Sequence, residues 1–103
     1  MIVRSFHLSD YVGVTQLMEN SLCENCLCEV REAFARQLTL DSGLVLVAEK
    51  NEEIVGVIIG TIDNNAGYCY RITVDPNYRR QGVGSSMLKM LQERFRRRKI
   101  NRI

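Results

Sequence analysis

The hexapeptide "RRQGVG", residues 79–84, restricts the fold of this chain more than any other stretch. Before it lies a run rich in β-branched and aromatic residues (68–74). After it, Met87, Leu88, Leu91 and Phe95 recur at helical intervals. The pattern predicts a strand, a glycine loop and then a helix. The first amides of a helix have no partner within it, and the macrodipole adds about half a positive charge there. A helix start is therefore an anion site, most effective for phosphate when the backbone can be approached closely. Side chains at 82 and 84 would block that approach, and glycine removes them. Arg79 and Arg80 add positive charge, and Pro76 fixes the turn that leaves the strand. The stretch suits a phosphate or pyrophosphate; on spacing alone, a glycine-rich turn without a ligand fits equally well. A dinucleotide fingerprint would need a third glycine where Met87 stands, and no Gly-Lys-Ser/Thr closes a Walker loop.

Upstream, "MIVRSF" reads as a first strand, and Ser9 or Asp10 can cap a helix whose apolar face carries Tyr11, Val14, Leu17 or Met18, and Leu22. Residues 20–28 are polar and read as a turn. A second helix follows, with Val30, Phe34 and Leu38 at steps of four, and Gly43 is its natural stop. "LVLVAEK" from Leu44 and "EIVGVIIGTI" after a turn at 51–53 are apolar runs that read as buried strands in a hairpin. "DNNAG" at 63–67 is a further turn before the strand at 68–74. The order is β-α-α-β-β-β-α, a single α/β domain over residues 1–103 with a mixed sheet. "KINRI" reads as a strand just beginning.

Composition removes several classes of function. A net charge of +2 is too small to recruit nucleic acid, although Arg94, Arg96, Arg97, Arg98 and Lys99 crowd together. Cations there complement the negative end of a helix, so a solvated helix end is the expectation and a nucleic-acid partner is not. The longest apolar run, at 54–59, contains Gly56 and is far too short to cross a bilayer. The first residues lack the order of a signal peptide, so a cytoplasmic protein is expected. Cys23, Cys26 and Cys28 form a C-x-x-C-x-C run, with Cys69 distant. Zinc prefers two paired knuckles, and the second is missing, so no metal is expected. Cys69 is expected to be a small buried thiol in its strand.

Read as Arg79-x-x-Gly82-x-Gly84, the loop resembles the R/Q-x-x-G-x-G/A signature of the GNAT superfamily of N-acetyltransferases. "IVRSFHLSDYVGVTQLMENS" resembles that family's first strand and helix, and "LVLVAEKNEEIVGVIIG" its second and third strands. "ITVDPNYRRQGVGSSML" resembles its fourth strand, pyrophosphate loop and third helix. The resemblance implies acetyl-CoA as cosubstrate and an amine, on a small molecule or a protein, as acceptor. It implies that backbone groups of Ile72, Thr73 and Val74 pair with pantetheine and that an amide near Val74 polarises the thioester carbonyl. Amides at Arg79, Arg80, Gln81, Gly82, Val83, Gly84 and Ser85 would hold the pyrophosphate. Direct transfer in a ternary complex leaves the cysteines without a catalytic role.

The family's fold normally continues beyond this length through a fifth strand, so the resemblance covers a C-terminally truncated fold. No residue is assigned as general acid. Tyr70 and Glu24 are the candidates for general base, and His7 is expected to be structural. A non-catalytic module that keeps the fold for coenzyme binding or oligomerisation is the rival from another class. The strand at 68–74 is expected to have an open flank, which two copies could cover about a two-fold axis as a homodimer. Acceptor choice is expected to involve the segment at 20–28.

Overall fold

The structure is a computed structural model that describes residues 1–21 and 24–98. Strand β1 (Ile2–Ser5) leads into helix α1 (Tyr11–Ser21) and helix α2 (Glu24–Asp41). Strands β2 (Val45–Lys50), β3 (Glu53–Asp63) and β4 (Ala66–Val74) follow, and helix α3 (Val83–Arg97) completes the described chain. The expected β-α-α-β-β-β-α order is present. The sheet has the order β1-β2-β3-β4, and each of these pairings is antiparallel. Two tight turns join the last three strands. Asn51 and Glu52, then Asn64 and Asn65, adopt positive φ between 50° and 65°. Such left-handed pairs match the twist of the strands they connect, and asparagine tolerates the conformation better than most residues.

Both faces of the sheet are covered, which is why β2 and β3 read as continuous apolar runs. On one face Val45, Val47, Val57 and Ile59 meet Val14, Leu17 and Met18 of α1 and Val30 and Phe34 of α2. Phe6 packs edge-on against Phe34 with ring centroids 5.2 Å apart. On the other face Leu46, Ala48, Val55 and Ile58 meet Val83, Met87, Leu91 and Phe95 of α3. There the sheet presents a trough without side chains. A Cβ at Gly56 would lie 2.9 Å from Met87, one at Gly60 2.6 Å from Leu91, and one at Gly67 2.6 Å from Phe95. Successive turns of α3 thus rest directly on backbone, and the helix lies close along β3 and β4.

Three expectations need correction. Residues 24–28 are helical rather than a turn, since α2 begins at Glu24. The basic run is only partly solvated. Arg98 holds Asp41 through Nε–Oδ2 and Nη2–Oδ1 contacts of 2.7 and 2.9 Å, and Arg94 donates to the Gly43 carbonyl at 3.1 Å. Those bonds tie the end of α3 to the α2–β2 junction, while Arg96 and Arg97 are exposed. Cys69 is exposed, since β4 has a single neighbour among the described strands. The "KINRI" stretch and Cys23 lie outside the described residues.

A second ion cluster fixes the opposite corner. Arg4 of β1 reaches both carboxylate oxygens of Asp10, at 2.7 and 3.0 Å, and Glu49 of β2 at 2.8 Å. Asp10 also accepts from the backbone N–H of His7 at 2.8 Å, so it caps the turn before α1. The Arg4 hydrogen bond holds the Asp10 carboxyl below its ordinary pKa, and Arg98 does the same for Asp41. A depressed folded pKa means that the unfolded chain binds protons first as pH falls. This stabilisation is complete above the unfolded value of about 4 and is lost as pH drops through the folded one. Replacement of Asp10 by Asn is expected to cost about 2 kcal/mol near neutrality in denaturant unfolding. It should also flatten the loss of stability below about pH 4. An unchanged acid slope would contradict the role given to this carboxylate.

Candidate functional site

The loop between β4 and α3 is built by local bonds that leave its amides free. The Asp75 amide closes the β3–β4 ladder by donating to Val55 at 2.8 Å. The Asp75 carboxylate accepts from the Asn77 amide at 2.9 Å and so caps the short turn Pro76–Tyr78. The chain then reverses through two left-handed residues, Arg80 at φ 65° and Gly82 at φ 80°. Gly82 is the N-cap of α3 and has no side chain to satisfy the helix start. The Ser86 amide makes the first helical bond, to the Gly82 carbonyl at 3.0 Å. The amides of Val83, Gly84 and Ser85 precede it and have no partner within the helix.

These amides line a concavity of about 270 Å³. Of the residues expected at a phosphate site, Arg79, Arg80, Gly82, Val83, Gly84 and Ser85 border it, joined by Tyr78 and by Val74, which was expected to face pantetheine. Gln81 does not. Its side-chain oxygen accepts from Lys50 Nζ at 3.0 Å, and the same ammonium sits 5.5 Å from the centre of the Tyr78 ring. Lys50 is therefore part of the loop's surroundings although it lies thirty-one residues earlier in the chain. No acidic residue occupies the first turn of α3, and Lys50, Arg79 and Arg80 are in none of the ion pairs among the described residues. The mouth of the concavity is positive.

The two loop glycines differ in why they are glycine. Gly82 needs its left-handed φ, which costs an ordinary residue roughly 1 kcal/mol or more. Gly84 has no such need. A Cβ there would meet Ile72 and Val74 at 3.9 Å, an ordinary contact. The fold would accept a side chain at 84, so packing and backbone conformation do not by themselves require glycine there.

Beside the loop, β4 is an edge strand among those described. The Asp75–Val55 bond makes that pair a hydrogen-bonded one, so pairs alternate back along the strand. Thr73 then directs its backbone groups to β3, whereas Ile72 and Val74 turn theirs to the open edge. Of the three residues expected to face pantetheine through backbone, Ile72 and Val74 do present free groups and Thr73 does not. Further along, Ile59 pairs with Arg71 and Gly60 with Cys69, so Tyr70 is the extra residue of a β-bulge.

Tyr70 is half-exposed and faces α2. The Glu24 side chain lies outside what is described. His7 is exposed, and its backbone N–H is bound to Asp10. Among the described residues no group of three His, Cys, Asp or Glu side chains could hold a metal ion, and no helix is long and apolar enough to cross a membrane.

Comparison with known proteins agrees with this architecture. The model of the acetyltransferase (GNAT) family matches residues 13–103. An acetyltransferase of Photorhabdus laumondii is 32% identical over 95 residues, covering 92% of this chain and 66% of its own length. The chain spans about two thirds of the length of the curated relatives it matches. A ribosomal-protein-alanine N-acetyltransferase from Brucella melitensis superposes with a TM-score of 0.76 at 23% identity, over 97% of this chain and 70% of the other. The PaiA N-acetyltransferase from Thermoplasma acidophilum, solved with coenzyme A, superposes with a TM-score of 0.77 at 17% identity, over 96% and 74% respectively.

The difference between the glycines can be measured without any ligand. Gly82→Ala is expected to lower stability by about 1 kcal/mol, and Gly84→Ala to leave it unchanged or raise it by up to about 0.5 kcal/mol. Equal losses in thermal or denaturant unfolding would show that both positions serve the fold alone.

Proposed function

This chain belongs to the acetyltransferase (GNAT) family, and we propose that it binds acetyl-CoA at the start of α3 for transfer of the acetyl group to an amine. The observation that carries the reading is Gly84. Its glycine is not required by packing or by backbone conformation, yet it bares the amides at the mouth of a positive concavity. A pyrophosphate fits that need. It would accept from the amides of Val83, Gly84 and Ser85, with Arg79 and Arg80 adding charge at the rim.

Bound acetyl-CoA supplies an activated thioester whose acetyl group an amine can take directly. The edge of β4 offers the pantetheine arm the outward backbone groups of Val74 and Ile72. Because Val74 borders the phosphate concavity itself, the thioester end would lie further back, toward Ile72 and the bulge at Tyr70. There the Ile72 amide is placed to stabilise negative charge on the carbonyl oxygen as the amine attacks. Tyr70, on the α2 side of the same bulge, is the candidate for taking the amine's proton. The thiol groups of Cys28 and Cys69 have no part in direct transfer.

Lys50 supports the loop from outside. Its ammonium holds Gln81 and Tyr78, and so braces the left-handed turn that aims the amides. Calorimetry with coenzyme A tests the reading. Gly84→Val is expected to weaken binding at least tenfold with the melting temperature retained, and Lys50→Met or Arg79→Met only a few-fold. Equal affinity of Gly84→Val and the parent would remove the coenzyme from this loop.

A further inference from the structure

A groove of about 160 Å³ opens between α2 and the sheet beside the β4 bulge. Ala33 and Leu40 of α2, Ile59 and Thr61 of β3, and Tyr70 line it, together with Arg36 and Gln37. Leu40 is 70% exposed and Tyr70 48%, so part of its apolar wall faces water. A single exposed leucine needs no explanation, but a concave apolar surface is a place for a ligand. Gln37 is buried, and its side-chain amide donates to the Asp41 carbonyl at 3.0 Å, so that group already serves the fold. No carboxylate lines the groove. What it offers is chiefly apolar contact.

The length of the coenzyme's arm decides what reaches this groove. Between phosphate and sulfur, pantetheine has about a dozen bonds, the backbone length of about four residues or about 13 Å along a strand. Val74 borders the phosphate concavity, and that many residues back along β4 stands Tyr70, the extra residue of the bulge. The sulfur and the acyl carbonyl therefore arrive where the Tyr70 side chain turns onto the α2 face. An acetyl group ends there. A longer acyl group has the groove in front of it.

We propose that the groove receives the acyl chain of the thioester, and that the chain binds a short saturated acyl group longer than acetyl in preference to acetyl itself. The proposal rests on the reading that coenzyme A is held at the start of α3. Carbons beyond the second lie against Ile59, Leu40 and Tyr70 and take apolar surface of both partners out of water. The small side chain of Ala33 leaves them room. At about 30 Å³ for each water-sized group, 160 Å³ holds about five, which suits an acyl group of about four to six carbons and not a long fatty chain. The transfer step is the same for any chain length. The amine nitrogen bonds to the acyl carbon, the carbon–sulfur bond breaks, and coenzyme A leaves as a thiol while the nitrogen gives up one proton.

The probes are coenzyme A and its acetyl, butyryl, succinyl and octanoyl thioesters, titrated by calorimetry without any acceptor amine. A fully buried methylene is worth about fourfold in affinity, and the open groove half-buries the two that butyryl adds. Butyryl-CoA is therefore expected to bind at least about fourfold more tightly than acetyl-CoA, with no further gain for octanoyl-CoA. Ala33→Phe, which fills the groove, should bring butyryl-CoA down to the affinity of acetyl-CoA and leave acetyl-CoA and coenzyme A unchanged. Leu40→Ser, at an exposed position, should lessen the preference in the same direction if Ala33→Phe disturbs α2. Equal affinity for acetyl- and butyryl-CoA overturns the proposal, as does a preference that survives both variants or a steady gain through octanoyl-CoA. Tighter binding of succinyl-CoA than of butyryl-CoA overturns it too, because the groove would then be reading a carboxylate through Arg36. Absence of binding by coenzyme A and all four thioesters contradicts the phosphate site and the groove together, whereas coenzyme A binding without chain-length preference contradicts the groove alone.

Discussion

How closely α3 can approach the sheet governs nearly everything else in this fold. Three positions on β3 and β4 that would otherwise carry side chains are glycine, and Met87, Leu91 and Phe95 fill the space they leave. That contact fixes the helix along its whole length. Its N-terminus is held at the end of β4, where the free amides of Val83, Gly84 and Ser85 face a concavity. Its C-terminus is held where Arg98 can reach Asp41 and Arg94 can reach the Gly43 carbonyl. An anion site is useful only if its dipoles do not reorganise when charge arrives. The trough supplies that rigidity from fifteen residues of packed helix.

Strand β4 then separates two kinds of chemistry. Its Ile72 and Val74 side chains lie toward the start of α3, and their backbone groups turn to the open edge. Its Tyr70, Arg71 and Thr73 side chains lie toward α1 and α2. The bulge at Tyr70 makes this division possible, because the extra residue re-aims the side chains that follow it. The outward backbone groups of Ile72 and Val74 and the side chains of Arg71 and Thr73 are therefore separate sets of atoms on one strand. The Arg4–Asp10–Glu49 cluster stands apart from both and is explained by the cap and the β1–β2 contact it secures.

Much of this was legible in the sequence. Strands β2 and β3 announced themselves because both of their faces are buried, and α3 because its apolar residues repeat every three or four positions. The strand and helix that flank the glycine loop were legible, whereas the spacing of the loop alone suited an anion site and a plain glycine turn equally well. What escaped were features set by distance in the chain. Lys50 carries no local sign of its partnership with Gln81; only the parallel relation of β2 and β4, each antiparallel to β3, brings their ends together. Arg94 and Arg98 looked like solvent-facing cations because their partners, Asp41 and Gly43, lie more than fifty residues away. The start of α2 was missed for a different reason. Its polar residues suit a turn and the wet side of a helix equally well, and polarity alone does not separate them. Thr73 was named for its backbone, yet pairing parity, which depends on the hairpin register, gives that role to its neighbours.

The central claim is that bare amides at the start of α3 hold the phosphates of the coenzyme. It is tested most directly by the proton–nitrogen correlation spectrum of the labelled chain, recorded with and without coenzyme A. The amide signals of Val83, Gly84 and Ser85 are expected to move furthest, and downfield, as they gain a charged acceptor. Those of Ile72 and Val74 should follow, with the Thr73 amide, already bonded within the sheet, moving less. Saturable binding of coenzyme A that left the three helix-start amides in place while signals elsewhere moved would contradict it.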